Sequence, residues 1–228
     1  MSGKVWLVGA GPGDIGLLTV KGKALIEKAD VIIYDHLVGN EILSSLDDKT
    51  KLINVGKLSG HHPIPQEQIN RILIEEAKRG QKVVRLKGGD PFLFGRGGEE
   101  MAELHRSGIP FEVVPGVTSS LAVPAYSGIP VTHRDYASSV HIITGHKKRD
   151  AQESIDYRAL VQTKGTLVFL MGVTALPDIR RKLLEAGMEP DMPAAILQEG
   201  TTAGPRTIIS TVGELEERAE TAKVRPPA

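Results

Sequence analysis

Apolar runs of strand length alternate with amphipathic runs of helix length up to about residue 128, and that alternation constrains the fold more than any other feature. Lys4 to Val8, Val31 to Tyr34, Leu52 to Val55, Val83 to Leu86 and Phe111 to Val114 are short and apolar or β-branched, as buried strands are. Between them, Val20 to Ala29 carries Val20, Ala24 and Leu25 on one face behind a capping Thr19. The segment opened by Ile64-Pro65 carries Ile69, Ile72, Leu73 and Ala77 at helical spacing until Gly80 stops it. Glu99 to Ser107 reads as a helix ended by Gly108, and another runs to about Ser127. The pattern predicts an α/β fold, a mostly parallel sheet with helices on both faces. Such sheets take ligands beyond the carboxyl ends of their strands. Four of these ends carry glycine, an acid or a small hydroxyl: Gly9 to Asp14, Asp35, Gly88 to Asp90 and Gly116 to Ser119. They are expected to gather on one edge and form a ligand site.

A second unit is expected from about Ile129. Val140 to Thr144 and Thr166 to Met171 read as strands, with a helix from about Thr174 to Ala186 closed by Gly187. Ala194 to Gln198 and Arg206 to Ser210 suggest an antiparallel pair, and Thr211 is placed as the cap of a last helix reaching about Thr221.

Composition narrows the function. The 228 residues are enough for one large α/β domain or two small ones, and the net charge of zero supplies no field for a nucleic-acid backbone. Cysteine is absent, which removes disulfides, thiolate metal sites and a thiol nucleophile. No apolar run is long enough to span a membrane and Met1-Ser2-Gly3-Lys4 leads straight into a strand, so a soluble cytoplasmic protein acting on small molecules is expected.

The longest chemical signal is Arg85-Leu86-Lys87-Gly88-Gly89-Asp90-Pro91-Phe92-Leu93-Phe94-Gly95-Arg96-Gly97-Gly98-Glu99-Glu100. Paired glycines at a strand end let the backbone pass close to something bulky, and Pro91 stiffens the turn. Gly11-Pro12-Gly13-Asp14-Ile15-Gly16 matches the spacing of a dinucleotide fingerprint, with Asp35 after the next strand. Three features argue against that reading. The segment from Val8 to Thr19 is too long for a tight strand-to-helix turn, Pro12 lacks an N–H for phosphate, and Asp14 would repel a pyrophosphate. A Walker loop fails because Leu17 follows Gly16. These edge loops are poor in lysine, which suits a neutral or cationic ligand such as S-adenosylmethionine better than a polyphosphate. Arg85, Arg96, Arg134, Lys57 and the Lys147-Lys148-Arg149 cluster are basic points around the same region, suited to a substrate with several carboxylates, although Lys148 and Arg149 read as solvated surface charge. His36, His61, His62, His133, His141 and His146 have no metal-ligand spacing, so no metal is expected.

Together, Val8 to Asp14, Asp35, Gly56-Lys57, Arg85 to Glu100, Pro115-Gly116-Val117-Thr118-Ser119, Gly128-Ile129-Pro130-Val131-Thr132-His133-Arg134 and Phe169-Leu170-Met171-Gly172 resemble the uroporphyrinogen-III C-methyltransferases, of the tetrapyrrole methyltransferase family serving the sirohaem, cobalamin and haem d1 pathways. The resemblance covers essentially the whole chain. It implies two αβα domains, 1–128 and 129–228, with the active site in the cleft between them, usually in a homodimer. It implies S-adenosylmethionine held by Pro12, Gly88, Gly89, Asp90, Leu93, Thr118, Ser119, Met171 and Gly200, and two methyl transfers to C2 and C7 of uroporphyrinogen III, giving precorrin-2 and two S-adenosylhomocysteines. Asp35 matches the proposed proton acceptor and Lys57 the proposed donor, while Arg96, Glu99 and Arg134 match positions that hold and polarise the substrate. Family members continue past the final Pro-Ala into a further strand, which this sequence lacks. A later precorrin methyltransferase and a non-catalytic S-adenosylmethionine-binding protein are the alternatives.

Overall fold

The computed structural model describes residues 3–56, 64–145 and 155–228. Lys57, His61, His62, His146 and the Lys147-Lys148-Arg149 cluster therefore lie outside the described residues. The chain forms two compact units, Met1–Ser119 and Ser120–Ala228.

The first unit is built on five strands: β1 (Lys4–Gly9), β2 (Val31–Tyr34), β3 (Lys51–Asn54), β4 (Lys82–Lys87) and β5 (Phe111–Val114). They form one sheet in the order β3-β2-β4-β1-β5, with every neighbouring pair parallel. Helices α1 (Val20–Ile26), α2 (Asn40–Ser44), α3 (Gln66–Lys78) and α4 (Gly97–Arg106) connect them. Strand alternation divides the interior in two. Val5, Leu7, Val31, Ile33 and Val83 pack with Ile69 and Leu73 of α3 and Leu104 of α4. Val8, Ile32, Val84 and Leu86 pack with Ile26 of α1 and Ile42 of α2. Strands β1 and β2 are largely apolar on both sides because both faces are covered, while the middle strand β4 also carries the buried Arg85 and Lys87.

Most local signals are realised. Thr19 caps α1, its Oγ1 accepting from the Gly22 N–H at 3.0 Å. The face of α3 carrying Ile69, Leu73 and Ala77 is buried, and Gly80, at φ +85°, ends it as a left-handed cap. Helix α2 and a later helix at Tyr157–Gln162 were not anticipated; at five and six residues neither gives a readable helical period.

The second unit holds α5 (Ser119–Tyr126), β6 (Val140–Thr144), α6 (Tyr157–Gln162), β7 (Thr166–Leu170), α7 (Leu176–Glu185), β8 (Pro193–Gln198), β9 (Arg206–Thr211) and α8 (Leu215–Thr221). Strand β6 pairs parallel with β7, and β8 pairs antiparallel with β9 as expected. Tyr157, Ile179, Leu183, Ile196, Val212 and Leu215 form its core. Helix α5 packs on later parts of the chain: Val123 lies against Gly200, and Ser127, just beyond the helix, receives a hydrogen bond from Thr207 at 3.1 Å. Thr211 does not cap α8. It ends β9, its carbonyl accepts from the Glu214 N–H at 3.1 Å, and α8 starts from Glu214 without a side-chain cap.

Candidate active site

The carboxyl ends of the strands in the first unit meet as the alternation predicted. Gly11 and Gly89 exchange both backbone hydrogen bonds, at 3.2 and 2.7 Å. Gly9 and Gly116 sit against each other and against the Gly89 carbonyl so closely that a Cβ on either would collide with backbone. A Cβ on Gly88 would strike Leu37, two residues past Asp35, and one on Gly39 would strike the Gly13 carbonyl. The glycines are the contact surfaces through which four separate loops pack.

Two acids at this edge serve the backbone. Asp90 Oδ1 accepts from the N–H groups of Phe92 and Leu93 at 2.8 and 3.1 Å, and Oδ2 accepts from Gly116 N–H at 3.1 Å. It thereby ties the Gly-Gly-Asp-Pro turn to the end of β5. Asp14 Oδ1 accepts from Gly16 N–H at 2.6 Å and caps a short 3₁₀ turn, Ile15–Leu17, that separates the glycine-rich loop from α1. No helix therefore opens at Gly16 to receive a pyrophosphate.

The edge fits S-adenosylmethionine by its donor chemistry. Gly89 adopts φ +67°, and a Cβ there would meet nothing within 4 Å, so a glycine surface faces open space. Gly88, Asp90 and Leu93 lie near it in sequence, Pro12 follows Gly11, which pairs with Gly89, and the hydroxyls of Thr118 and Ser119 follow β5. Acid, hydroxyl and backbone predominate, as suits a sulfonium and a nucleoside without phosphate. In the second unit, Met171 follows β7 at φ +57° and is exposed, and Gly200 follows β8 against Val123.

Asp35, immediately after β2, is held at both oxygens. Oδ1 accepts from Leu37 N–H at 3.1 Å, and Oδ2 accepts from Arg85 Nη2 at 3.4 Å. Arg85 corrects an expectation: it is a buried residue of β4 and offers nothing to a substrate carboxylate. Its position two residues after Val83 turns it toward the face covered by α3 and α4. There its Nε donates to Glu100 Oε1 at 3.0 Å, and its Nη1 donates to the carbonyls of Ile33 and Leu86 at 3.3 and 3.0 Å. Glu100 Oε1 also accepts from Lys87 Nζ and from Gln66 Nε2, each at 3.2 Å. Glu100 Oε2 is buried without a hydrogen-bond partner among the described residues. Burial pushes the Lys87 ammonium below the ordinary lysine value; the Arg85 cation acts in the same direction and Glu100 opposes it.

Glu100 and Lys87 were missed as members of this cluster. The signal was present: Gly97, Glu100 and Leu104 share the buried face of α4, and Lys87 follows Val83 and Arg85 at strand alternation.

Arg96 and Glu99 behave otherwise. Arg96 precedes α4 at φ +59°, and its Nε and Nη2 donate to the two Glu99 oxygens at 2.8 and 2.7 Å, both side chains lying in solvent. Arg134 is exposed, in a turn bridged between His133 and Ala137. Among the described residues there is no cluster of His, Asp and Glu able to hold a metal ion. No helix of these residues is long and apolar enough to cross a membrane.

Comparison with known proteins follows the same lines. The family model of the tetrapyrrole (corrin/porphyrin) methylases matches residues 4–216. The porphyrin biosynthesis protein HemD of Ruminiclostridium josui is 52% identical over 226 residues, which are 99% of this chain and 45% of that protein. Siroheme synthase 2 of Klebsiella pneumoniae subsp. pneumoniae is 51% identical over 218 residues, 96% of this chain and 47% of that protein. The chain thus spans about half the length of the curated relatives it matches. Among solved structures, the uroporphyrin-III C-methyl transferase of Thermus thermophilus, complexed with S-adenosylhomocysteine, matches with a TM-score of 0.83 and 39% identity, covering 99% of this chain and 90% of that one. A cobalt precorrin-4 methyltransferase matches with a TM-score of 0.87 and 28% identity, covering 97% and 91%. The chain belongs to the tetrapyrrole (corrin/porphyrin) methylases.

Proposed function

We propose that the chain methylates C2 and C7 of uroporphyrinogen III, giving precorrin-2. The observation that carries this reading is the divergence of sequence from shape. The cobalt precorrin-4 and uroporphyrin-III enzymes fit the fold comparably, with TM-scores of 0.87 and 0.83, while identity rises from 28% to 39% toward the second. A shared fold leaves substrate open, whereas the side chains that select it follow sequence.

When bound, S-adenosylmethionine supplies an electrophilic methyl group on a sulfonium. The residues proposed to hold it are Pro12, Gly88, Gly89, Asp90, Leu93, Thr118 and Ser119 of the first unit and Met171 and Gly200 of the second. A pyrrole carbon is a weak nucleophile, so most of the rate must come from holding it in line with the methyl group. Asp35 then accepts the proton that the cationic ring must lose after attack. Its carboxylate suits the task, being restrained at both oxygens yet at the end of a strand rather than inside the sheet. Arg96 and Glu99 bind and polarise the substrate, with Arg134 as a further carboxylate partner. Lys57 is retained as proton donor on the resemblance alone. The homodimer belongs to the same proposal, and sedimentation equilibrium showing a monomer at assay concentration would remove it.

Anaerobic incubation with uroporphyrinogen III and S-adenosylmethionine, read by mass, tests the reaction. The expected result is a gain of two methyl groups. No gain on uroporphyrinogen III, with methylation of a precorrin, would replace this reading with the second one, a later precorrin methyltransferase, which the fit to the precorrin-4 enzyme favours.

A further inference from the structure

The contacts of Asp35 extend inward as a chain of restraint. Arg85 holds Asp35 Oδ2 through Nη2, while its Nε is committed to Glu100 and its Nη1 to two carbonyls. Glu100 lies fully buried on α4, where Arg85, Lys87 and Gln66 all converge on its Oε1. A planar fork held at Nε and Nη1 presents Nη2 in one direction. The chain runs from α4 through Glu100 and Arg85 to the carboxylate at the strand edge.

Stability alone explains this arrangement poorly. Buried ion networks are often no more stabilising than apolar side chains of the same volume. The donor geometry serves Asp35 instead.

We propose that Arg85 and Glu100 are positioning residues that orient the Asp35 carboxylate for proton removal. The inference rests on the reading of Asp35 as proton acceptor. Neither positioning residue touches substrate or exchanges a proton; each acts through the next.

A double-mutant cycle tests it. Glu100→Gln preserves shape and removes the charge that fixes Arg85. It is expected to lower kcat about tenfold, in the range measured for groups that orient a functional ligand, with KM for the tetrapyrrole and Kd for S-adenosylmethionine within about twofold. In an Asp35→Asn background the same substitution is expected to change kcat less than about twofold, because its effect has no remaining route. An equal loss in both backgrounds would overturn the proposal. Arg85→Lys, which keeps the charge and loses the fork, takes its place if Glu100→Gln does not fold. Glu76→Gln, at a buried carboxylate bound instead to Lys51 and Arg79, controls for loss of any buried charge.

A second readout needs no substrate. The ¹³Cγ resonance of Asp35, followed at one pH, is expected to move in Glu100→Gln and in Arg85→Lys and to stay in place in Glu76→Gln. The two readouts separate the two failures. A wild-type protein that does not methylate uroporphyrinogen III while the resonance still moves removes the functional reading and keeps the positioning. Active protein with an unmoved resonance removes the positioning and keeps the function.

Discussion

Arg85 meets Glu100 at 3.0 Å with side chains 4% and 0% exposed, whereas Arg96 meets Glu99 at 2.7 Å with side chains 56% and 55% exposed. Both pairs come from one sixteen-residue stretch, and the exposed one has the better hydrogen-bond geometry, bidentate against a single shared oxygen. Contact distance therefore says little about what each pair does. In the buried pair neither partner can be solvated if the other is lost, so the geometry is permanent. In the exposed pair water or another carboxylate can replace Glu99 at little cost, so Arg96 is free to exchange partners. A permanent pair suits the framing of a reactive group, and an exchangeable one suits capture of a polycarboxylate.

The comparison breaks if the two pairs respond alike to truncation. Glu100→Ala is expected to have the largest effect on stability, about 3–5 kcal/mol in denaturant unfolding, because it leaves the buried Lys87 without its carboxylate and takes one of two from the buried Arg85. A loss below about 1 kcal/mol would place Glu100 in contact with water. Asp90→Ala comes next. It leaves the N–H groups of Phe92, Leu93 and Gly116 without their acceptor, and a loss of about 1–3 kcal/mol with weakened S-adenosylmethionine binding by calorimetry is expected. Arg96→Ala should cost at most about 1 kcal/mol of stability and leave cofactor affinity near wild type, while turnover falls about 100-fold or more. Parallel losses of stability and cofactor binding would make Arg96 structural.

The smallest expected effect sharpens the exposed side of the comparison. At the start of β1, Lys4 and Lys21 ion-pair with Glu112, and Lys21 and then Lys4 hold its carboxyl at about 2, below the ordinary 4.5. A depressed value in the folded state stabilises the fold above the unfolded carboxylate range, and that contribution is lost as pH falls through about 2. Glu112→Gln should therefore flatten the acid limb of a stability–pH curve between about 4.5 and 2, with its small loss of stability present near neutral pH and gone below about 2. An unaltered acid limb would show that solvent screens the pair completely.

Much of the first unit is legible without coordinates. The strand runs, the face of α3, the Thr19 cap and the gathering of four strand ends all follow from local pattern. The second unit is less so. Thr211 has the chemistry of a cap but lies in a strand, because pairing with Pro193 claims it before the helix can begin. Arg85 and Glu100 were legible only as charges. Their spacing allowed an exposed basic point and a solvated acid as readily as a buried pair.

By itself the sequence determined what acts within a few residues: the period of each element, the turns that require glycine or proline, and the adjacency of Arg96 and Glu99 on one turn of helix. Tertiary structure alone decided the strand order β3-β2-β4-β1-β5 and the partners of Arg85, fifteen residues from Glu100 and fifty from Asp35. The physical reason is that backbone sterics and side-chain period are local, whereas the environment of a charge depends on which helix covers it and which strand lies beside it. Once α4 closes over β4, the same residue types that would be ordinary surface ions become a framework for Asp35.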